Sequence, residues 1–161
     1  MPNTVYGVNI TNNIVTKIVN ASLLSGSFPA QSNATYHLLT APEVLNTDGF
    51  CTSMCGYHDF FYAWDSATHT STNTSISFAW VGSPVLCPSI APAYRSGCGA
   101  LTVQNQSPNG NLNADNMVNI IAHETSEMAT DPQKNAWSPE SGDLCSVRLF
   151  CLSLPAAWCA P

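Results

Sequence analysis

The chain has 161 residues, with four Lys plus Arg against ten Asp plus Glu, a formal net charge of −6 and only 9% charged residues. That length suits one domain with its own core, and so few basic residues leave nothing to neutralise a phosphate backbone, which excludes nucleic-acid binding as a main role. No apolar run reaches the ~20 residues of a membrane-spanning helix, so no membrane span is expected.

In chain order, residues 5–10 read as a short β-prone strand. In residues 12–25 apolar Ile14, Val15, Ile18, Val19 and Leu23 recur at helical spacing, and Gly26 supplies a stop. Residues 35–40 read as a strand and 42–46 as a turn. Residues 60–64 and 76–81 are strands able to pair around the polar run 66–77, SATHTSTNTSIS. Residues 84–99 form a loop with a cysteine near each end, and 105–113 a turn-rich entry to a long helix at 114–130, capped by Asn113 or Asp115 and ended by Pro132. A wheel of residues 114–131 places Ala114, Met117, Val118, Ile121 and Met128 on one face, with Glu124 at its border. His123, Glu127, Asn116 and Asn119 fall on the other side, and Ile120 lies between. The expected fold is α+β: a small mixed or antiparallel sheet packed with two main helices, stabilised by disulfides, as one domain over residues 1–161.

That long helix carries His123-Glu124-Thr125-Ser126-Glu127. Residues i and i+4 share a helix face, so His123 and Glu127 can reach one ion, as in a zinc-protease helix whose second histidine has become glutamate. Glu124 then occupies the place of the general base. A third ligand has to come from downstream, and Asp143 is the candidate, with Asp131 as the alternative. The competing account is a packed helix in which His123 and Glu127 bond each other or the backbone. So little charge around the wheel implies a helix covered on much of its circumference, where ionisable groups need a ligand or a partner.

Seven cysteines in a chain of low charge imply an oxidising compartment. Proximity in sequence pairs Cys51 with Cys55, Cys87 with Cys98, and Cys145 with Cys151 or Cys159. Asn9, Asn20, Asn33, Asn73 and Asn105 each begin an Asn-x-Ser/Thr sequon without proline at x, and the run 66–77 is an O-glycosylation candidate or a plain polar hairpin. Trp64, Trp80, Trp137 and Trp158 are able to stack on sugars, although such rings more often belong to the core. No signal peptide precedes residue 1, so a secreted protein of this sequence is expected to be a mature or partial chain.

Several separate blocks resemble the phosphate-induced/EXORDIUM family of secreted proteins. They are Tyr36-His37-Leu38-Leu39-Thr40, Gly49-Phe50-Cys51, Cys55-Gly56-Tyr57-His58, residues 78–84 running on to Cys87-Pro88, Ser107-Pro108-Asn109-Gly110, Ile121-Ala122-His123-Glu124-x-x-Glu127, Asn135-Ala136-Trp137 and Asp143-Leu144-Cys145. The resemblance covers residues 14–146. It implies an extracellular, cell-surface or cell-wall location and a link to growth or the matrix, without a well-established reaction. Members usually carry a longer segment before the first helix and a β-rich segment after the Asp-Leu-Cys block, which divides this chain into an arm at 1–10, a core at 11–146 and a divergent tail at 147–161. An edge left open by missing strands is suited to strand addition, with residues 1–10 as the donated strand. The expectation is a secreted, glycosylated structural protein of the surface or matrix, self-associating into a homo-oligomer or fibre, with one zinc ion as its candidate cofactor. The alternative is a zinc-dependent hydrolase with His123, Glu127 and Asp143 as ligands and Glu124 as base.

Overall fold

The computed structural model describes residues 6–65, 70–87, 98, 107–136 and 138–143. β1 (Asn9–Ile10) leads directly into α1 (Asn12–Leu24). The Thr11 side chain accepts from the Ile14 backbone N–H and caps the helix start. At the other end Ser25 is the C-cap, and Gly26 follows at a φ of +73°, a conformation that costs glycine nothing. The sequence reading of this helix therefore holds to within one residue.

β2 (Thr35–Leu39), β4 (Gly56–Asp65) and β5 (Thr70–Val81) form a mixed sheet in the order β2-β5-β4. β4 and β5 are an antiparallel hairpin, and β2 runs parallel to β5. The expected pair of strands at 60–64 and 76–81 is therefore present, but longer. The polar run 66–77, expected as a loop or hairpin, supplies residues 70–77 of β5 itself. Residues 42–46, expected as a turn, contain β3 (Leu45–Asn46), which pairs in parallel with β1. Asn46 holds this junction: it is buried, donates to the Asn12 side chain at 2.7 Å and accepts from the Asp48 backbone at 3.0 Å. Residues 9–10 of the arm expected to be donated to a neighbour thus pair within their own chain.

Residues 76–81 of β5 are buried without interruption, as a central strand covered on both faces requires. One face carries the apolar core, where Phe78 and Trp80 pack with Phe50, Ile10, Val15 and Val19. Phe50 meets Trp80 edge to face at 5.0 Å. Trp80 is thus a core residue, Trp64 lies half exposed, and Trp137 and Trp158 fall outside the described residues. The opposite face presents Ser77, Ala79 and Val81 beside Gly56 and His58, which are their cross-strand partners or neighbours. Against this face of small side chains packs α2 (Leu112–Thr130).

The disulfides correct the sequence reading. Cys51 bonds Cys87, and Cys55 bonds Cys98. The turn before β4 is closed by its own backbone hydrogen bonds, Cys51 N–H to the Met54 carbonyl and Ser53 N–H to the Gly49 carbonyl. With the turn settled in this way, both thiols meet the chain that leaves β5 through a single 3-10 turn at Pro84–Leu86. Proximity in sequence misled because a disulfide requires particular Cα and Cβ vectors, which tertiary structure sets. Cys145, Cys151 and Cys159 lie outside the described residues.

Candidate metal centre

α2 begins two residues before its expected start. Asn111 is the N-cap, its side chain accepting from the Ala114 N–H at 3.1 Å, and neither Asn113 nor Asp115 has that role. Asp115 is buried and accepts from the Ser107 hydroxyl at 2.6 Å and the Asn109 N–H at 3.2 Å, which ties the entry loop to the first turn.

The buried face of α2 is turned away from the apolar stripe of the wheel. Asn116, Ile120, Glu124, Glu127 and Met128 are buried, of which only Met128 belongs to that stripe, whereas Val118 is 58% exposed. The sheet explains this. A Cβ on Gly56 would lie 2.8 Å from both the Ile120 Cγ2 and the Trp80 carbonyl oxygen, so the absent side chain admits α2 this closely. His58, two residues further on and on the same face of β4, then meets the two helix carboxylates.

Glu127 is the hub. Its Oε2 lies 3.1 Å from His58 Nδ1, and its Oε1 lies 3.0 Å from His123 Nε2. Glu124 Oε2 stands 3.7 Å from His58 Nδ1, and Asp143 Oδ1 stands 3.7 Å from His123 Nε2. Two groups of ligand-type atoms result, His58/Glu124/Glu127 and His123/Glu127/Asp143, each with its atoms within 4.8 Å of one another. Gly142 brings the second group together, since a Cβ there would lie 2.7 Å from Glu127 Oε1 and 2.9 Å from the His123 ring. Thr130 and Ser141 share a hydroxyl hydrogen bond of 2.8 Å that fastens the same segment to the end of α2.

The electrostatics follow from this crowding. Burial opposes charge on His58, but the Glu124 and Glu127 carboxylates, with Glu140 beyond, outweigh it and raise its pKa to about 10. Burial likewise works against the Glu127 anion, yet His123 and His58 prevail and lower its pKa to about 2. Glu124 moves the other way, its pKa raised by burial. His123 is raised by Glu127, against its own burial. The cluster demands positive charge between its oxygens, which a proton or a metal ion supplies.

The donor set fits zinc. With bonds near 2.0–2.1 Å a tetrahedral zinc site has ligand–ligand edges of about 3.3 Å, and the imidazole–carboxylate distances of 3.0, 3.1 and 3.7 Å bracket that edge. Glu127 Oε1 is met by His123 Nε2 at 3.0 Å, whereas Glu124 Oε2 is buried 3.7 Å from His58 Nδ1, beyond hydrogen-bonding distance. A buried oxygen left so is costly unless a cation meets it.

His123, Glu127 and Asp143 are thus brought together, while Asp131 is not part of the group. The Asp131 carboxylate accepts from the Asn135 and Ala136 backbone N–H groups at 2.8 and 3.0 Å and shapes the turn after α2. Glu124, the expected base, is 3% exposed and faces His58 and β4. His58 is the residue that sequence reasoning missed. Its signal was the alternation Gly56, His58 along β4, which puts a small residue and an imidazole on one face. Among the sequons, Asn9, Asn33 and Asn73 are exposed, Asn20 is half-buried in α1, and Asn105 lies outside the described residues.

Residues 2–149 match the conserved region of phosphate-induced protein 1. EXORDIUM-like 3 from Arabidopsis thaliana is 33% identical over 142 residues, covering 82% of this chain and 39% of that protein. EXORDIUM-like 5 from the same plant is 31% identical over 158 residues, covering 87% of this chain and 40% of that protein. The chain therefore spans about two fifths of the length of these relatives. No solved structure matches it significantly.

Proposed function

Because the chain belongs to the phosphate-induced protein 1 family, we propose that it is a secreted structural module of the cell surface or matrix, held by its disulfides and by one zinc ion at His123, Glu127 and Asp143. The carrying observation is Glu127, a buried carboxylate with Oε1 turned to His123 Nε2 and Asp143 close by. Bound there, zinc would fasten the segment around Asp143 to the end of α2 and neutralise the buried carboxylate. The two bridges suit an oxidising compartment. No described helix is long and apolar enough to cross a membrane. Exposed Asn9, Asn33 and Asn73 are the attachment points for N-linked glycans in this reading, and the Ser/Thr-rich part of β5 that for O-linked ones. Self-association uses the β2 edge, where Leu39 is half exposed and only β5 is a hydrogen-bonded neighbour among the described strands. Finding only monomers by light scattering would remove that part.

The hydrolase reading is the weaker one. A general base must reach the reacting water and substrate, and Glu124 is buried beside Gly56 and His58 of β4 instead. The test of the metal is elemental analysis of protein purified without chelators, followed by thermal unfolding with and without EDTA. Bound zinc with a lower melting temperature after its removal supports the proposal. A metal-free protein that EDTA leaves unaffected refutes it.

A further inference from the structure

Glu127 offers two oxygens to two separate imidazoles, a geometry that one ion does not account for. Its Oε1 belongs to the His123 and Asp143 group, and its Oε2 faces His58 Nδ1 at 3.1 Å, on the buried side of α2. His58 has the features of a metal ligand. Its Nε2 lies 3.3 Å from the Asp131 carbonyl oxygen, which can only accept, so that nitrogen carries the hydrogen. An imidazole fixed in this way by a backbone carbonyl commonly presents its other nitrogen to a metal. Here Nδ1 faces two carboxylates from neighbouring turns of α2. A proton on Nδ1 satisfies the Glu127 oxygen but leaves Glu124 Oε2, at 3.7 Å, beyond hydrogen-bonding reach. That oxygen belongs to a residue 3% exposed, is aimed at His58 and has no hydrogen-bond partner. An ion bound to Nδ1, Glu124 Oε2 and Glu127 Oε2 satisfies all three atoms.

We propose that His58, Glu124 and Glu127 form a second, buried divalent-cation site, and that the Glu127 carboxylate bridges it to the ion at His123 and Asp143. The inference rests on the zinc reading above and extends it to a carboxylate-bridged pair. The ligands are imidazole and carboxylate, which suit zinc and manganese alike. Bridged ions of this type lie about 3.5–4 Å apart. Glu127 is then the residue on which both ions depend, whereas His58 and His123 serve one each.

The test is metal stoichiometry after reconstitution with zinc and removal of excess, measured on the wild type and on the near-isosteric variants His58→Gln, His123→Gln and Glu127→Gln. About two ions in the wild type, one in each histidine variant and none in Glu127→Gln support the bridged pair. One ion that His123→Gln abolishes and His58→Gln leaves in place overturns the buried site while preserving the proposed function. No ion in the wild type overturns both. Since a variant in so buried a place is open to misfolding, paramagnetic resonance of the manganese-loaded wild type gives an independent reading. Exchange-coupled signals at full loading support the pair, and a spectrum of isolated ions at full loading refutes it.

Discussion

Residue 142 carries no side chain, and the contacts around it show what one would cost. A methyl group there would press on both the Glu127 carboxylate and the His123 ring, so Gly142→Ala is expected to push the segment bearing Asp143 away from the helix. Asp143 is itself exposed, with its carboxylate 3.7 Å from His123 Nε2. The expected outcome is zinc affinity lowered by about 10–100-fold, the range for a lost supporting contact, with the circular dichroism spectrum unchanged; zinc titration against a competing chelator measures it. Asp115 gives a prediction in pH. The Ser107 hydroxyl first, and then the Asn109 groups, hold its pKa below the usual carboxylate value. A depressed native pKa means that this contribution is complete above the unfolded value of about 3.9 and is lost as pH falls through the native one. Asp115→Asn should therefore flatten the fall in urea midpoint between about pH 5 and pH 2 relative to the wild type.

α2 shows how a helix can be recognised while its orientation stays open. The run of helix formers, the Asn-rich entry and Pro132 place it to within two residues at its start, yet of its apolar stripe only Met128 is fully buried. The wheel gives the contents of each face. Which face turns inward depends on what the sheet offers, and this sheet offers Gly56, Ala79 and Ser77, with an imidazole able to meet carboxylates. Ile120→Ala should therefore cost about 2–5 kcal/mol, because Ile120 is buried against Gly56. Val118→Ala should cost under about 0.5 kcal/mol, as surface changes do. Equal losses at the two positions in chemical denaturation would contradict this orientation. α1 did not pose this difficulty, because its buried Val15 and Val19 belong to the stripe that the spacing identified.

Over the whole molecule, the two disulfides tie the turn before β4 to the chain after β5, closing loops with sequence separations of 36 and 43. Loops of that size make each bridge worth about 2–4 kcal/mol through the unfolded state. Mapping of the unreduced protein should yield peptides linking Cys51 to Cys87 and Cys55 to Cys98, and a peptide joining Cys51 to Cys55 would contradict this arrangement. Together with β5, buried on both faces, the bridges make a rigid platform, and the carboxylates of α2 are presented to it on the side away from the apolar core.

The sequence by itself determined the family, the α+β class, α1, the β4–β5 hairpin and the pairing of His123 with Glu127 one helical turn apart. These are either local in the chain or carried by blocks of residues that remain legible in order. Only the tertiary structure decided the cysteine partners, the pairing of β1 with β3, the buried face of α2 and the arrival of His58 at Glu127. His58 and Glu127 stand 69 residues apart. Contacts of that kind depend on strand register and on the space that small residues leave between layers, which periodicity along one segment does not encode.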